Sequence, residues 1–294
     1  MEGCTLCPRN CRVNRENNEK GFCGETAELR IARAAPHFWE EPCLSGTQGS
    51  GTVFFTGCNL RCCFCQNRNI SRGGHGKPVS NERLTEIFFE LAEKGVHNIN
   101  LVTPTHFIPQ IREAILRARA RGLTLPFAAN CGGYENPDTL HLLDGLIDIY
   151  LTDMKFYSPE VSAKLCGVRD YFPTAKRALS EMERQIGPTV FDNTGLMCRG
   201  VIVRHLMLPG YLFDTRHILD YLVGEYGNRV YISLMNQYTP PETLIPNAPN
   251  HPLRQDHYDR MVDFLMDRSI ENAYIQEGGT CSESYIPEFD LSGT

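Results

Sequence analysis

Residues 51–67 read GTVFFTGCNLRCCFCQN, an apolar run that stops at Gly57 and is followed by Cys58, Cys62, Cys63 and Cys65. The run has the β-branched and aromatic content of a buried strand, so the thiols are set at a strand end. Similar runs recur downstream: NINLV (98–102), LPFAAN (125–130), IDIYLTDM (147–154), GVIVRHLML (200–208) and YISLMN (231–236), with AYIQ (273–276) as a late addition. Amphipathic stretches of helical length fill the gaps at 81–94, 107–121, 137–145, 158–186 with a break near Pro173, 213–224 and 254–268. Strands alternating with crossover helices predict an α/β protein with a parallel sheet, either doubly wound or curled into a partial barrel.

Three segments follow from composition. Residues 1–50 are rich in Cys, Arg, Asn and Gly without clear periodicity and are expected to form a small cysteine-rich extension; 51–280 carry the βα units; 281–294 form a tail. The chain has 294 residues and a net charge of −6, with no basic run, which argues against nucleic acid or an anionic membrane as partner. No window reaches the ~20 apolar residues of a spanning helix, and the N-terminus, MEGCTLCPRNCRV, lacks the apolar stretch of a signal peptide; the expected location is the cytoplasm.

Thirteen cysteines in a reducing compartment point to metal or redox chemistry rather than to disulfides. They form two groups, Cys4, Cys7, Cys11 and Cys23, and Cys58 to Cys65, with Cys43, Cys131, Cys166, Cys198 and Cys281 scattered. The first group has the count and spacing of a structural metal site; zinc is the first expectation and a second iron–sulfur cluster the next. In the second group, Cys58-x3-Cys62-x2-Cys65 can wrap one compact cluster and leave one iron without a protein ligand, whereas a carrier cluster takes four cysteines. A zinc site completed by a distant residue is the alternative.

CNLRCCFC, with an aromatic residue before the last cysteine and a strand before Gly57, resembles the signature of the radical S-adenosylmethionine (radical SAM) superfamily. The likeness runs over about residues 51–280 and is nearest to the branch related to pyruvate formate-lyase activase, in a form with an N-terminal CxLCPRxC segment, here CTLCPRNC. It implies a partial (β/α)6, TIM-like barrel and a [4Fe-4S] cluster on Cys58, Cys62 and Cys65. The open iron of that cluster would bind S-adenosylmethionine, with Phe64 near the adenine. It implies an electron from a flavodoxin- or ferredoxin-type donor, reductive cleavage to a 5′-deoxyadenosyl radical, and hydrogen abstraction from a glycine of a partner enzyme or from a small molecule. A non-catalytic electron carrier or a zinc-stabilised binding module is the reading from a different class.

The same resemblance assigns further positions at strand ends. Where the activases carry Gly-Gly-Glu for the cofactor amino group, this chain has Thr103-Pro104-Thr105-His106, so backbone carbonyls or the hydroxyls of Thr103 and Thr105 are the candidates. Asn130 stands at the family's Asn-Gly turn. Asp153 and Lys155 match its Asp-x-Lys, and strand alternation points both into the barrel mouth. Arg204 has the fork that suits a carboxylate, and Gln237 and Tyr238 lie where the family contacts adenine and substrate. A small substrate would require a lid, for which the N-terminal module or the Pro-rich segment 239–252 are candidates.

Overall fold

The computed structural model of the chain describes residues 3–276 and 287–294, so Cys281 lies outside the described residues. In chain order the strands are β1 (Arg30–His37), β2 (Ser50–Phe55), β3 (Lys77–Pro78), β4 (Ile99–Val102), β5 (Phe127–Cys131), β6 (Ile149–Asp153), β7 (Val190–Phe191), β8 (Met197–Leu206), β9 (Tyr231–Met235) and β10 (Ala273–Ile275). The helices are α1 (Pro42–Ser45), α2 (Arg68–Ser71), α3 (Asn81–Glu93), α4 (Ile108–Ala120), α5 (Pro137–Leu140), α6 (Pro159–Cys166), α7 (Tyr171–Ile186), α8 (Leu212–Glu225) and α9 (Gln255–Met266).

The sheet order is β10-β9-β8-β6-β5-β4-β2-β1-β3, with β7 pairing β8 off that path. From β2 to β10 every pairing along the path is parallel, so all of these strands end on the same side. This is the partial (β/α)6 barrel expected from the sequence.

Alternation divides each strand between two cores. Phe127, Ala129, Tyr150, Val201 and Val203 face the helices in the large cluster, while Ala128, Ile149, Leu151 and Ile202 face the other way. The second set packs on Cys43 and Leu44 of α1 and on Met197. The inner face is thus closed at its lower end by a one-turn helix from the N-terminal segment. Further along the same faces stand Asn130, Asp153 and Arg204, two residues on from Ala128, Leu151 and Ile202.

Two expectations are corrected. The break in the long helical stretch falls at Gly167, not near Pro173: α6 ends on Gly167 in a left-handed conformation (φ 77°), and Pro173 sits in the first turn of α7, where its missing N–H costs nothing. Residues 30–37, expected within a patternless extension, form β1, which pairs antiparallel with β2 from Ile31↔Phe55 to His37↔Ser50. Arg30, Arg33 and Pro36 mask that strand in the sequence, although Ile31, Ala32 and Ala34 are buried.

Candidate active site

β2 delivers the cysteine loop. Gly57, the first residue beyond it, has φ 81°, and a side chain there would meet the Cys23 carbonyl oxygen at 2.8 Å, so only glycine turns the chain here. The loop is held by the C-terminal end of α6: the Arg61 amide donates to Cys166 O (3.1 Å) and the Cys63 amide to Leu165 O (2.9 Å).

A cavity of about 460 Å³ opens at the strand ends, and Cys58, Cys62, Phe64 and Cys65 form one of its walls. Cys63 is not on that wall. The three facing thiols are half-buried and lie near one another. Burial, then Cys62, pushes Cys58 up to about 12; burial, then Cys62, raises Cys65; a hydrogen bond with Cys166, then burial, raises Cys62. Such a set is held neutral until a cationic group draws the protons off.

Among the described residues no three Cys, His, Asp or Glu side chains close around a position for one metal ion. Three soft thiols spread over one wall of a roomy cavity, with the fourth loop cysteine turned away, are instead a donor set that fits a polynuclear iron–sulfur cluster. Lys155 lines the same cavity, and its charge acts on both Cys62 and Cys65.

The sequence-predicted residues Thr103, Thr105, Asn130, Asp153, Lys155, Arg204 and Gln237 all line this cavity. Thr103 has φ 58°, a left-handed conformation that is uncommon for a β-branched residue and stored where function needs it. Its amide donates to Asn130 O (2.9 Å), which fixes the turn. Asp153 and Lys155 pair with each other, Oδ2 to Nζ 2.5 Å, with about a fifth of each side chain exposed. Burial lowers the affinity of Lys155 for its proton, but the paired Asp153 carboxylate outweighs it, so its pKa is raised and the ammonium is permanent.

Arg204 grips carboxylates of this chain itself. Its Nε donates to Glu41 Oε1 (2.8 Å), and one terminal nitrogen reaches both Glu41 Oε2 (2.5 Å) and Glu40. The Asn100 amide donates to the free oxygen of Glu40 (2.8 Å). Glu40 and Glu41 come from the segment between β1 and α1, so the N-terminal chain supplies the floor of the cavity as well as its plug. Tyr238 does not line the cavity; it is buried, and its hydroxyl donates to Pro249 O (2.5 Å).

His106 is buried away from the cavity, with Nε2 2.6 Å from Thr56 O. Burial, and then Arg15, lowers its pKa to about 3, so it is a neutral structural residue.

Glu135, Glu40 and Glu41 were missed in the sequence. Glu135 sits behind the cavity wall, 1% exposed, accepting the Thr105 hydroxyl on Oε1 (3.0 Å) with Oε2 unpartnered. Burial pushes its pKa up to about 7 against the small pull of Thr105. Its one sequence signal is its place just after the Gly132-Gly133 turn. The adjacent acids Glu40 and Glu41, set between Trp39 and the Pro-Cys-Leu of α1, carry a faint one: paired charge inside an apolar stretch.

No helix among the described residues is long and apolar enough to cross a membrane. The family model described as the radical SAM superfamily matches residues 52–222. The chain is 32% identical over 249 residues to the uncharacterized protein MJ0674 of Methanocaldococcus jannaschii, covering 82% of this chain and 67% of that one. Among solved structures it resembles Streptococcus suis SuiB bound to S-adenosylmethionine (TM-score 0.52, 12% identity, 76% of this chain and 49% of that one). It also resembles the FeFe-hydrogenase maturase HydG of Carboxydothermus hydrogenoformans (TM-score 0.51, 16% identity, 74% and 50%). The chain spans about half the length of these solved structures, and at such identity the likeness is one of fold. With the family model covering more than half of the chain and the three thiols gathered on one cavity wall, the protein belongs to the radical SAM superfamily.

Proposed function

We propose that this chain is a cytoplasmic enzyme that abstracts a hydrogen atom from a substrate presented by a partner macromolecule, a backbone glycine of a partner enzyme being the form the activase resemblance favours. The observation that carries the reading is the shared cavity wall of Cys58, Cys62 and Cys65, in a cavity also lined by Lys155 and Asp153 at the strand ends. When bound there, a [4Fe-4S] cluster and S-adenosylmethionine supply reductive cleavage and a radical able to attack an unactivated C–H bond, fed by a flavodoxin- or ferredoxin-type donor.

The chain's own residues bind and orient. Cys58, Cys62 and Cys65 hold the cluster, and Phe64, braced edge-on by Phe156 at 5.9 Å, offers a face to the adenine. Lys155 pairs with the carboxylate of the methionine moiety. Thr103 and Thr105 receive its amino group, with Glu135 behind Thr105 as a carboxyl that ionises when a cation arrives. Asn130 and Gln237 complete the polar lining. Of the lid candidates of the sequence, segment 239–252 contributes nothing to the described cavity lining, and the N-terminal module contributes His37, Trp39, Glu40, Glu41 and Pro42. SuiB, one of the fold relatives, is known bound to a precursor peptide.

The test is anaerobic reconstitution followed by reduction with S-adenosylmethionine and a search for 5′-deoxyadenosine. Single Cys58→Ala, Cys62→Ala and Cys65→Ala chains should lose the ligand-responsive cluster and Cys63→Ala should keep it; the reverse pattern refutes the grouping. Stimulation of turnover confined to the low-molecular-weight fraction of an anaerobic lysate would sink the macromolecular substrate.

A further inference from the structure

The N-terminal cysteines are the largest group of reactive side chains outside the cavity. The Cys4 amide donates to Val13 O (2.9 Å) and the Arg12 amide to Cys4 O (3.1 Å), so the segment folds back on itself. Inside that fold the Asn10 amide donates to Cys7 O (3.1 Å), a turn that brings Cys11 toward Cys7. A methyl group placed on Gly21 would lie 3.3 Å from the Cys11 sulfur and 3.4 Å from the Cys23 sulfur, so the far end of the module reaches the same place. Four thiols therefore share one site, Cys7 and Cys23 buried, Cys4 and Cys11 partly exposed.

A second observation gives that site a direction. The Cys58 amide donates to Cys23 O at 3.3 Å, so a cysteine of each group is joined backbone to backbone. The junction is braced. The Arg9 guanidinium lies 3.7 Å from the Phe22 ring centroid while its Nε donates to Asn59 O (2.8 Å), and Arg61 lies 4.3 Å from the same ring and donates to Phe22 O. The module is thus fastened to the cysteine loop through Cys23, Phe22 and Arg9.

We propose that Cys4, Cys7, Cys11 and Cys23 hold a second iron–sulfur cluster, which takes one electron at a time from an external low-potential protein donor and passes it to the group held by Cys58, Cys62 and Cys65. Zinc would leave this hydrogen-bonded adjacency of the two groups without use, since it has no redox chemistry. The four thiols also share with the loop thiols the feature that no three of them close on a single ion. Four cysteines are the ligand count of a cluster that transfers electrons and binds no substrate. In each transfer the donor loses one electron and the N-terminal cluster gains it; the N-terminal cluster then loses it to the loop-held cluster. No bond is made or broken in either step. The electron's destination rests on the function proposed above; the cluster itself does not.

The experiment uses the full chain, reconstituted anaerobically with iron and sulfide. The wild type should hold about eight irons, and a Cys58→Ala/Cys62→Ala/Cys65→Ala chain about four, in a reduced signal that ignores S-adenosylmethionine. One zinc, or no metal, in that triple variant overturns the proposal. Iron retained there is read independently of whether the wild-type spectrum responds to S-adenosylmethionine, so the two readings fail separately. In the doubly reduced wild type the two signals should broaden each other, and Cys4→Ser/Cys11→Ser should slow reduction by reduced flavodoxin at least tenfold relative to reduction by dithionite. An unchanged ratio, or two clusters without magnetic interaction, refutes the relay.

Discussion

Glu135→Gln should stabilise the protein at pH 8 and change it little at pH 5. Glu135 is buried, keeps one oxygen without a partner, and has a pKa pushed up from 4.5 to about 7 chiefly by burial. A group that binds its proton more tightly when folded favours the folded state at low pH and loses that advantage as pH rises. Below 4.5 both states are protonated and nothing is lost; between 4.5 and 7 stability falls; above 7 the loss levels off. At about 1.4 kcal/mol per tenfold, the ionised carboxylate costs the fold about 3 kcal/mol by pH 8 and under about 1 kcal/mol at pH 5.

Glutamine keeps the acceptor for the Thr105 hydroxyl and cannot ionise. Whatever its amide costs where Oε2 stands is the same at both pH values, and every other titrating group cancels between the two chains. The assay is anaerobic urea unfolding of wild type and Glu135→Gln at pH 5 and pH 8, compared at equal denaturant slope. The gap between them should widen by about 2 kcal/mol toward pH 8 in favour of Gln. A gap of the same size at both pH values would mean that Glu135 ionises as an ordinary surface carboxylate, and the argument from burial would fall.

Arg204→Met leaves Glu40 and Glu41 buried without their shared cation and should cost about 3–5 kcal/mol at neutral pH, with part regained on acidification; thermal unfolding across pH reads it. Lys155→Ala removes a charge aimed at the cavity and should weaken S-adenosylmethionine binding at least tenfold with iron content unchanged, as followed by titration of the cluster spectrum; equal affinity would reduce Lys155 and Asp153 to a structural pair. Thr103→Gly relieves a left-handed β-branched residue and should raise stability by about 1 kcal/mol while loosening the turn held by Asn130. A loss of stability in denaturant titration would show that Thr103 packing outweighs its backbone strain.

The parallel strands were legible because each is a nearly unbroken apolar run, the form that burial on both faces demands. The loop cysteines were legible because three ligands fall within eight residues. What lay hidden depended on pairing across long stretches of chain. Arg204 was read as a cofactor contact with a fork for a carboxylate, whereas the carboxylates that fill its fork are Glu41 and Glu40, 163 and 164 residues away in a segment without periodicity. β1 carries two arginines and a proline and pairs with only six residues of β2, so no local pattern announced it. Glu135 shows nothing unusual in sequence; its raised pKa exists only because the fold buries it, against the opposing hydrogen bonds of Thr105 and Gly132. Pro173 was read as the breaker, but its place in the first turn of α7 made it harmless, and Gly167, in a left-handed conformation, ends α6 instead.

The N-terminal segment is what makes this barrel specific, and its path explains why composition alone described it poorly. Residues 7–25 lie against the cysteine loop at the upper end, where Cys23 meets Cys58, Arg9 reaches Asn59, and Glu25 accepts the Thr56 hydroxyl (2.7 Å). The chain then runs the length of the sheet as β1 and turns under it, so that Glu40 and Glu41 hold Arg204 from below and Cys43 and Leu44 fill the lower inner face. One stretch of about forty residues thereby touches the cluster-bearing loop, the sheet edge and the cavity floor. A polar, patternless composition is what such a path requires, because each part meets a different surface and none builds a core of its own. It follows that perturbing the N-terminal cysteines should be felt first at the Cys58 loop through the Cys23 carbonyl, while perturbing Glu40 or Glu41 should be felt at the cavity floor through Arg204, two effects separated by the length of β1.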